Sequence, residues 1–178
     1  MVSVQLVRFS RSDAADLADL LTGETWPFHS GGAITREEVL ERVSAGYYDD
    51  PMVRTWWLVT EGRERAGVVR AWDVGDGAPL FDLRLRSAWR GRGVGRAAVR
   101  EVTRALFDEQ PDLTRIEATT RLDNVAMRRA LDACGYVKDA HYRRSWPAQD
   151  GLLHDTVGYG VLREDWASGT VTPVAWES

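Results

Sequence analysis

The sequence of 178 residues contains little cysteine, little lysine and no long apolar segment. Cys134 is its only cysteine, so no disulfide forms within the chain, and no Cys/His cluster has zinc-site spacing. No stretch approaches the roughly 20 apolar residues of a membrane span, and the first residues lack the basic and apolar regions of a secretory signal. We therefore expect a cytoplasmic protein that binds neither metal nor membrane.

Lysine is almost absent. Lys138 is the only lysine among the 23 lysine and arginine residues. Codon bias in a GC-rich genome explains this choice of arginine, so only clusters of arginine indicate a site. The net charge of −4 argues against a general nucleic-acid binder and weakly favours a cationic small-molecule partner.

The content of 44% hydrophobic and 28% charged residues is typical of a globular protein. Neither a repeat nor a linker divides the chain, so we expect a single domain over residues 1–178 with a C-terminal tail from about 167 to 178.

The hydrophobic pattern predicts the element order β-α-α-β-β-β-α-β-α-β-β, an α/β fold. Three consecutive strands with short connections indicate an antiparallel meander, so the sheet is mixed but mostly antiparallel, with helices flanking it. The expected strands are Val4–Phe9, Arg54–Thr60, Ala66–Asp73, Pro79–Arg86, Thr114–Thr120, Tyr136–Ser145 and His154–Leu162. The expected helices are Asp13–Leu21, a second from the capping box at Thr35 to Ala45, a third from Val94 to Asp108, and a fourth from Asp123 to Cys134.

A glycine-rich loop joins the third meander strand to the next helix. It consists of Arg90, Gly91, Arg92, Gly93, Val94, Gly95 and Arg96. Glycine backbone allows close approach of a ligand, and a helix start offers free N–H groups and a positive dipole end. The three arginines add charge-assisted donors. The loop therefore predicts a phosphate site rather than a plain turn.

Two common nucleotide motifs do not fit this loop. A Walker motif requires Gly-Lys-Ser/Thr, which is missing. A dinucleotide fold would place a third glycine where Arg96 stands, although Glu117 lies at the distance of its ribose-binding acid. The preceding antiparallel meander also argues against a dinucleotide fold.

The loop resembles the pyrophosphate loop of the GNAT superfamily of acetyl-coenzyme A-dependent N-acetyltransferases, R/Q-x-x-G-x-G/A. Arg90, Gly93 and Gly95 match it. The second half is similar to the RimJ/RimL-type branch, with its pattern N-x-A-S-x-R-x-L-x-x-x-G-F/Y. The matching residues there are Asn124, Ala126, Arg129, Leu131, Gly135 and Tyr136. The resemblance extends from about Leu80 to Trp166.

The resemblance implies acetyl-coenzyme A as cosubstrate and a primary amine as acceptor, a protein N-terminus or a small molecule. By this resemblance, the backbone of Leu83 and Leu85 binds the pantetheine arm in a splay of the sheet, and Asn124 reaches the end of that arm. Asn124 also stands where it can cap a helix. The amine attacks the thioester directly in a ternary complex.

The general base is left open by the sequence. Glu117 and Asp82 are the leading candidates, and the alternatives are His29, His141 or a water molecule. The strand positions of the two carboxylates do not settle which face each occupies.

The general acid is also unknown. Many GNAT members have tyrosine where this chain has Leu131, and the RimJ/RimL branch often has serine at Met127. Tyr136, Tyr142 or Tyr159 could substitute. This departure motivates the alternative of a non-catalytic acyl-coenzyme A-binding module.

Aromatic residues mark the loop between the first two helices. Trp26, Phe28 and His29 lie there, and the resemblance places this loop beside the acceptor. Trp56, Trp57 and Trp72 lie in predicted strands, where we expect core positions. Exposed tryptophans and the tail suggest a possible homodimer.

Overall fold

The computed structural model describes residues 2–30, 32–148 and 151–176. Its strands are β1 (Val4–Arg8), β2 (Val53–Thr60), β3 (Arg65–Trp72), β4 (Leu80–Leu85), β5 (Arg115–Arg121), β6 (Val137–Pro147) and β7 (Leu153–Leu162). Its helices are α1 (Ala14–Gly23), α2 (Arg36–Ser44), α3 (Val94–Glu109), α4 (Val125–Asp132) and α5 (Arg163–Ser168). The predicted element order is confirmed, and α5 is an addition to it. Gly31 of the predicted loop, and Glu177 and Ser178 of the predicted tail, lie outside the described residues.

The described strands form one sheet in the order β1-β2-β3-β4-β5-β7-β6. Neighbours are antiparallel except β4 and β5, which run parallel. In the described sheet these two strands share one register pair, Leu80 opposite Glu117, and the Glu117 N–H donates to the Pro79 carbonyl at 2.9 Å. Beyond that pair β4 and β5 separate, so the mixed, mostly antiparallel sheet opens at its centre.

Helices cover both faces of the sheet. Trp56 and Trp57 are both buried, and they belong to the two different hydrophobic clusters because successive strand residues point to opposite faces. The apolar stripe of α3 packs in one cluster, while α1 and α2 pack in the other. Trp72 differs from the expected core position, since it is only half-buried and faces a cavity.

Local sequence signals set the helix starts. The Glu38 N–H donates to Thr35 Oγ1 at 3.2 Å, and the Thr35 N–H donates to Glu38 Oε2 at 2.7 Å, which completes the capping box at α2. In the described part of the chain, no helix has the length and apolar character needed to cross a membrane.

Candidate active site

The glycine loop adopts a conformation that requires glycine. Gly91 has φ +71° and Gly93 has φ +83°, the left-handed region that side chains rarely adopt. Gly93 is the N-cap of α3, and no side chain caps the helix there. A Cβ placed at either glycine would meet no atom within 4 Å. The loop therefore forms an open cradle of backbone at the positive end of a 16-residue helix.

These features fit the pyrophosphate of coenzyme A. The first N–H groups of α3 are available to an anion because the glycine N-cap offers no side-chain acceptor. Arg92 and Arg96 are exposed beside the cradle. Val94 itself is fully buried, so it contributes its backbone while its side chain anchors the helix in the core.

Arg90 also contacts residues outside the glycine loop. Its Nε donates to the Leu85 carbonyl at 2.9 Å, and its Nη2 donates to the Thr25 carbonyl at 2.7 Å. Its guanidinium also lies 5.4 Å from the ring centroid of Trp26. Arg90 therefore connects the cofactor loop to the loop between α1 and α2.

A cleft of about 500 Å³ opens where β4 and β5 separate. Leu83 and Leu85 form one side of it, and α4 forms the other. Asn124 lines this cofactor cleft and also caps α4, because its Oδ1 accepts from the Met127 N–H at 3.3 Å. Its Nδ2 donates to Thr120 Oγ1 at 3.0 Å, so the side chain is held in place from both ends.

A second cavity of about 1060 Å³ lies on the other side of the α1–α2 loop. We call it the acceptor cavity, after the acceptor site that the family resemblance leads us to expect beside the α1–α2 loop. Strands β3 and β4 provide Arg70, Trp72 and Asp82, and the segment after α2 provides Tyr47 and Tyr48. Trp26 and His29 line both cavities, whereas Phe28 lines only the cofactor cleft. The residues from Arg42 to Tyr48 carried no recognisable motif, and only the fold reveals their position.

His29 and Asp82 form a contact at the junction of the two cavities. His29 Nε2 lies 2.9 Å from Asp82 Oδ1, and Arg84 Nε donates to Asp82 Oδ2 at 2.8 Å. Burial raises the pKa of Asp82, but the hydrogen bonds and positive charges of His29 and Arg84 outweigh it and hold that pKa far below its usual range. Asp82 is therefore ionised and a weak proton acceptor.

His29 has one ring nitrogen left over. Its Nδ1 is buried and has no hydrogen-bond partner among the described residues. When the neutral ring donates its Nε2 proton to Asp82, Nδ1 carries a free lone pair.

The second candidate base, Glu117, lies elsewhere. Its Oε1 accepts from Arg115 Nε at 2.8 Å, and Arg115 also pairs with Asp139. Glu117 does not line either cavity as the described residues define them. His141 likewise lies outside both, where its Nε2 is 2.8 Å from Asp155 Oδ2.

No obvious proton donor faces the cofactor cleft from α4. Met127 lines the cleft and Leu131 is fully buried. Tyr136 is buried, with its hydroxyl 2.7 Å from Thr103 Oγ1, and burial raises its pKa well above the ordinary value. Cys134 belongs to the core, as its position on the helix stripe predicts. Among the described residues, no group of three or more His, Cys, Asp or Glu is placed to hold a metal ion.

The model of the acetyltransferase (GNAT) domain matches residues 3–137. The chain belongs to the GNAT acetyltransferase family. No curated protein matches this GNAT chain significantly. The predicted family is thus confirmed, and its match includes the glycine loop, the strand splay and Asn124.

Solved structures share the GNAT fold at low sequence identity. A chimera of the spermidine N-acetyltransferase SpeG from Vibrio cholerae with hSSAT has a TM-score of 0.81 at 15% identity, covering 93% of this chain and 98% of that one. SpeG from Vibrio cholerae in complex with CoA and spermine has a TM-score of 0.77 at 16% identity, covering 93% and 98%. A probable acetyltransferase has a TM-score of 0.77 at 17% identity, covering 93% and 99%. At such identities the likeness concerns the fold.

Proposed function

We propose that this GNAT enzyme transfers the acetyl group of acetyl-coenzyme A directly to a primary amine in a ternary complex. The observation that carries the proposal is the meeting of the cofactor cleft and the acceptor cavity at Trp26 and His29. Reactants held on either side of this junction are brought together without a covalent enzyme intermediate.

The cofactor half of the proposal uses the glycine loop and the open strand. The backbone of Gly91, Gly93 and Gly95, with the N-terminus of α3, would hold the pyrophosphate. The backbone of Leu83 and Leu85 would bind the amides of the pantetheine arm. Asn124 would contact the thiol end of that arm.

The proton-transfer half rests on His29. An amine is mostly protonated at neutral pH, so it must lose a proton before it attacks the thioester. We assign this proton to His29, whose Nδ1 has no described partner but is enclosed by protein atoms, so a shift of the ring or of the α1–α2 loop must open it to the bound amine. Asp82 would hold the ring through Nε2. The coenzyme A thiolate then leaves into the cleft beside Met127, without a tyrosine donor from α4.

The assignment to a branch of the family is a finer proposal. Asn124, Arg129, Leu131 and Gly135 fit the RimJ/RimL-type pattern. Met127 departs from it, and this departure favours a chemistry that needs no acid on α4.

Two measurements test the proposed function. Isothermal titration with acetyl-coenzyme A should show saturable binding, and coenzyme A thiol release should rise when a primary amine is added. Binding without release for any amine would favour the non-catalytic acyl-coenzyme A module. Absence of binding at millimolar ligand would overturn both.

A further inference from the structure

The charged side chains of the acceptor cavity differ in their partners. Six of them line it: Glu24, Glu38, Arg42, Arg70, Asp82 and Arg84. Every carboxylate among them already accepts a hydrogen bond. Glu24 accepts from the Ser87 N–H at 3.0 Å, Glu38 closes the capping box of α2, and Asp82 binds His29 and Arg84.

Two of the three arginines differ from Arg84 in their partners. In the described part of the chain, Arg42 and Arg70 form no ion pair, whereas Arg84 is paired with Asp82. Arg70 donates from Nε to the Tyr47 carbonyl at 2.9 Å, and its guanidinium lies 3.9 Å from the Tyr47 ring centroid and 5.3 Å from that of Trp72. Arg42 lies 5.6 Å from the same Tyr47 ring.

The aromatic contacts orient Arg70 without neutralising it. The Arg70 side chain is half-buried, and its guanidinium has no counter-ion among the described residues. Its Nη groups form a planar fork that matches a carboxylate in a bidentate arrangement. Tyr47, Trp72 and the backbone carbonyl of Tyr47 hold that fork at the wall of the cavity, which is the arrangement of a preformed anion subsite.

We propose that the acceptor is a primary amine that carries a carboxylate, and that Arg70, assisted by Arg42, binds this carboxylate. The inference rests on the proposed N-acetyltransferase function and specifies its substrate class. The amine end would extend toward His29, and the carboxylate end would lie against Tyr47 and Arg70.

A polycationic acceptor is disfavoured by the same arrangement. A second ammonium group at the Arg70 end of the cavity would meet the unpaired charges of Arg42 and Arg70. The likeness to spermidine acetyltransferases therefore concerns the fold, while the charges of this cavity indicate a different acceptor.

The test compares acceptors that differ only in charge. Acetyl transfer would be measured with β-alanine, propylamine and 1,3-diaminopropane, which share a three-carbon chain. Two tripeptide amides, Ala-Asp-Ala and Ala-Lys-Ala, would show whether the carboxylate belongs to a small amino acid or to a peptide. In at least one of the two sets, we expect kcat/KM for the carboxylate-bearing amine, β-alanine or the Ala-Asp-Ala amide, to exceed that of the other amines in the same set by about tenfold or more.

Matched variants assign the preference to Arg70. Arg70→Gln should remove about tenfold from kcat/KM of the preferred acid, mainly through KM, and leave propylamine unchanged. Arg70→Lys should restore part of the loss because it retains the charge. Arg36→Gln is the control, since Arg36 is an exposed arginine paired with Asp19 outside both cavities.

The outcomes separate the two proposals. Acetylation of propylamine or the diamine with no preference for an acid would overturn the carboxylate assignment and leave the N-acetyltransferase function standing. An equal effect of Arg70→Gln on all acceptors would also overturn it. Acetyl-coenzyme A binding with no transfer to any of the five amines would overturn both.

Discussion

Asp82 on β4 and His29 on the α1–α2 loop are joined by a contact of 2.9 Å between Oδ1 and Nε2. The contact fixes the loop that separates the two cavities to the central strand of the sheet. It also orients the imidazole, since one nitrogen faces the carboxylate and the other is left without a described partner. Chemistry and loop position thus depend on the same pair.

Replacing His29 should remove most of the activity. We expect His29→Gln to lower kcat by about 100-fold, because general-base catalysis contributes on the order of 100-fold or more. The Kd for acetyl-coenzyme A should stay within about twofold, so the loss would fall on the transfer step.

His141 supplies the matched control. It forms a similar contact with Asp155, 2.8 Å from Nε2 to Oδ2, but lies outside both cavities. His141→Gln should therefore leave kcat and its pH profile unchanged. Asp82→Asn should cause a smaller loss than His29→Gln. Equal activity of wild type and His29→Gln would contradict the assignment.

The backbone of the cofactor loop can be tested by adding a side chain. Gly93→Leu should weaken acetyl-coenzyme A binding by at least about tenfold, because the added side chain would occupy open space at the cradle where we propose that the pyrophosphate binds. Gly77→Leu in the β3–β4 turn is the control, since Gly77 has φ +87° and also faces open space. Both variants carry the left-handed strain of about 1–2 kcal/mol, so titration calorimetry isolates the ligand effect. Similar losses of affinity in the two variants would count against the loop.

A buried hydroxyl pair should stabilise the packing of α3 against Tyr136, the residue before β6. Thr103 Oγ1 donates to the Val99 carbonyl at 2.7 Å, so the Tyr136 hydroxyl must be the donor in its 2.7 Å contact with Thr103. Thr103→Val leaves this donor unpaired and should lower the free energy of unfolding by about 1–3 kcal/mol. The double variant with Tyr136→Phe should lose less than Thr103→Val alone.

The dependence of the free energy of unfolding on alkaline pH provides a second test of the contact between Thr103 and Tyr136. Burial raises the pKa of Tyr136, although its bond to Thr103 acts in the opposite direction. A raised folded pKa means that the contribution to stability is complete below about pH 10, the ordinary tyrosine value, and falls as the pH rises further. Urea unfolding at several alkaline pH values measures this decline, and Tyr136→Phe should not show it.

The C-terminal segment should detach in acid. The Thr172 N–H donates to Asp165 Oδ2 at 2.9 Å, and the Thr172 hydroxyl donates to Oδ1 at 2.8 Å. These bonds hold the pKa of Asp165 below its ordinary value. The docking is therefore complete above about pH 4 and is lost as the pH falls through the lowered folded pKa.

Limited proteolysis measures that detachment. Asp165→Asn should expose the segment after Ser168 to cleavage at neutral pH, whereas Glu164→Gln at the exposed neighbouring position should not. Protection of the segment in Asp165→Asn would show that other contacts hold it.

Signals that act over a few residues were sufficient to predict most elements. Thr35 and Glu38 specify the start of α2, and Gly93 specifies the start of α3, because capping depends on neighbours within one turn. The sequence predicts Asp123 as the cap of α4, but Asn124, for which a cap is the alternative role, caps it. The short helix α5 was missed, since six residues give too little periodicity to detect.

Long-range geometry could not be derived from the sequence. Nothing local indicates that His29 meets Asp82, or that Arg70 lies under Tyr47. Glu117 and Asp82 are equivalent in the sequence because both are carboxylates on central strands, and only the side-chain contacts show that Glu117 pairs with Arg115 and lines neither cavity. The sequence predicts a core position for Trp72 because it lies in a strand, and only the fold shows that it faces the acceptor cavity.

The single register pair between β4 and β5 in the described sheet has a mechanical consequence. The two antiparallel halves of the sheet meet there through little direct strand pairing. A cofactor bound in the gap would therefore contact both halves and hold them together. Saturating acetyl-coenzyme A should then stabilise the protein according to RT ln(1 + [L]/Kd). Protection from amide exchange should rise on both sides of the gap, including the β5–β7 pair that the cofactor does not touch.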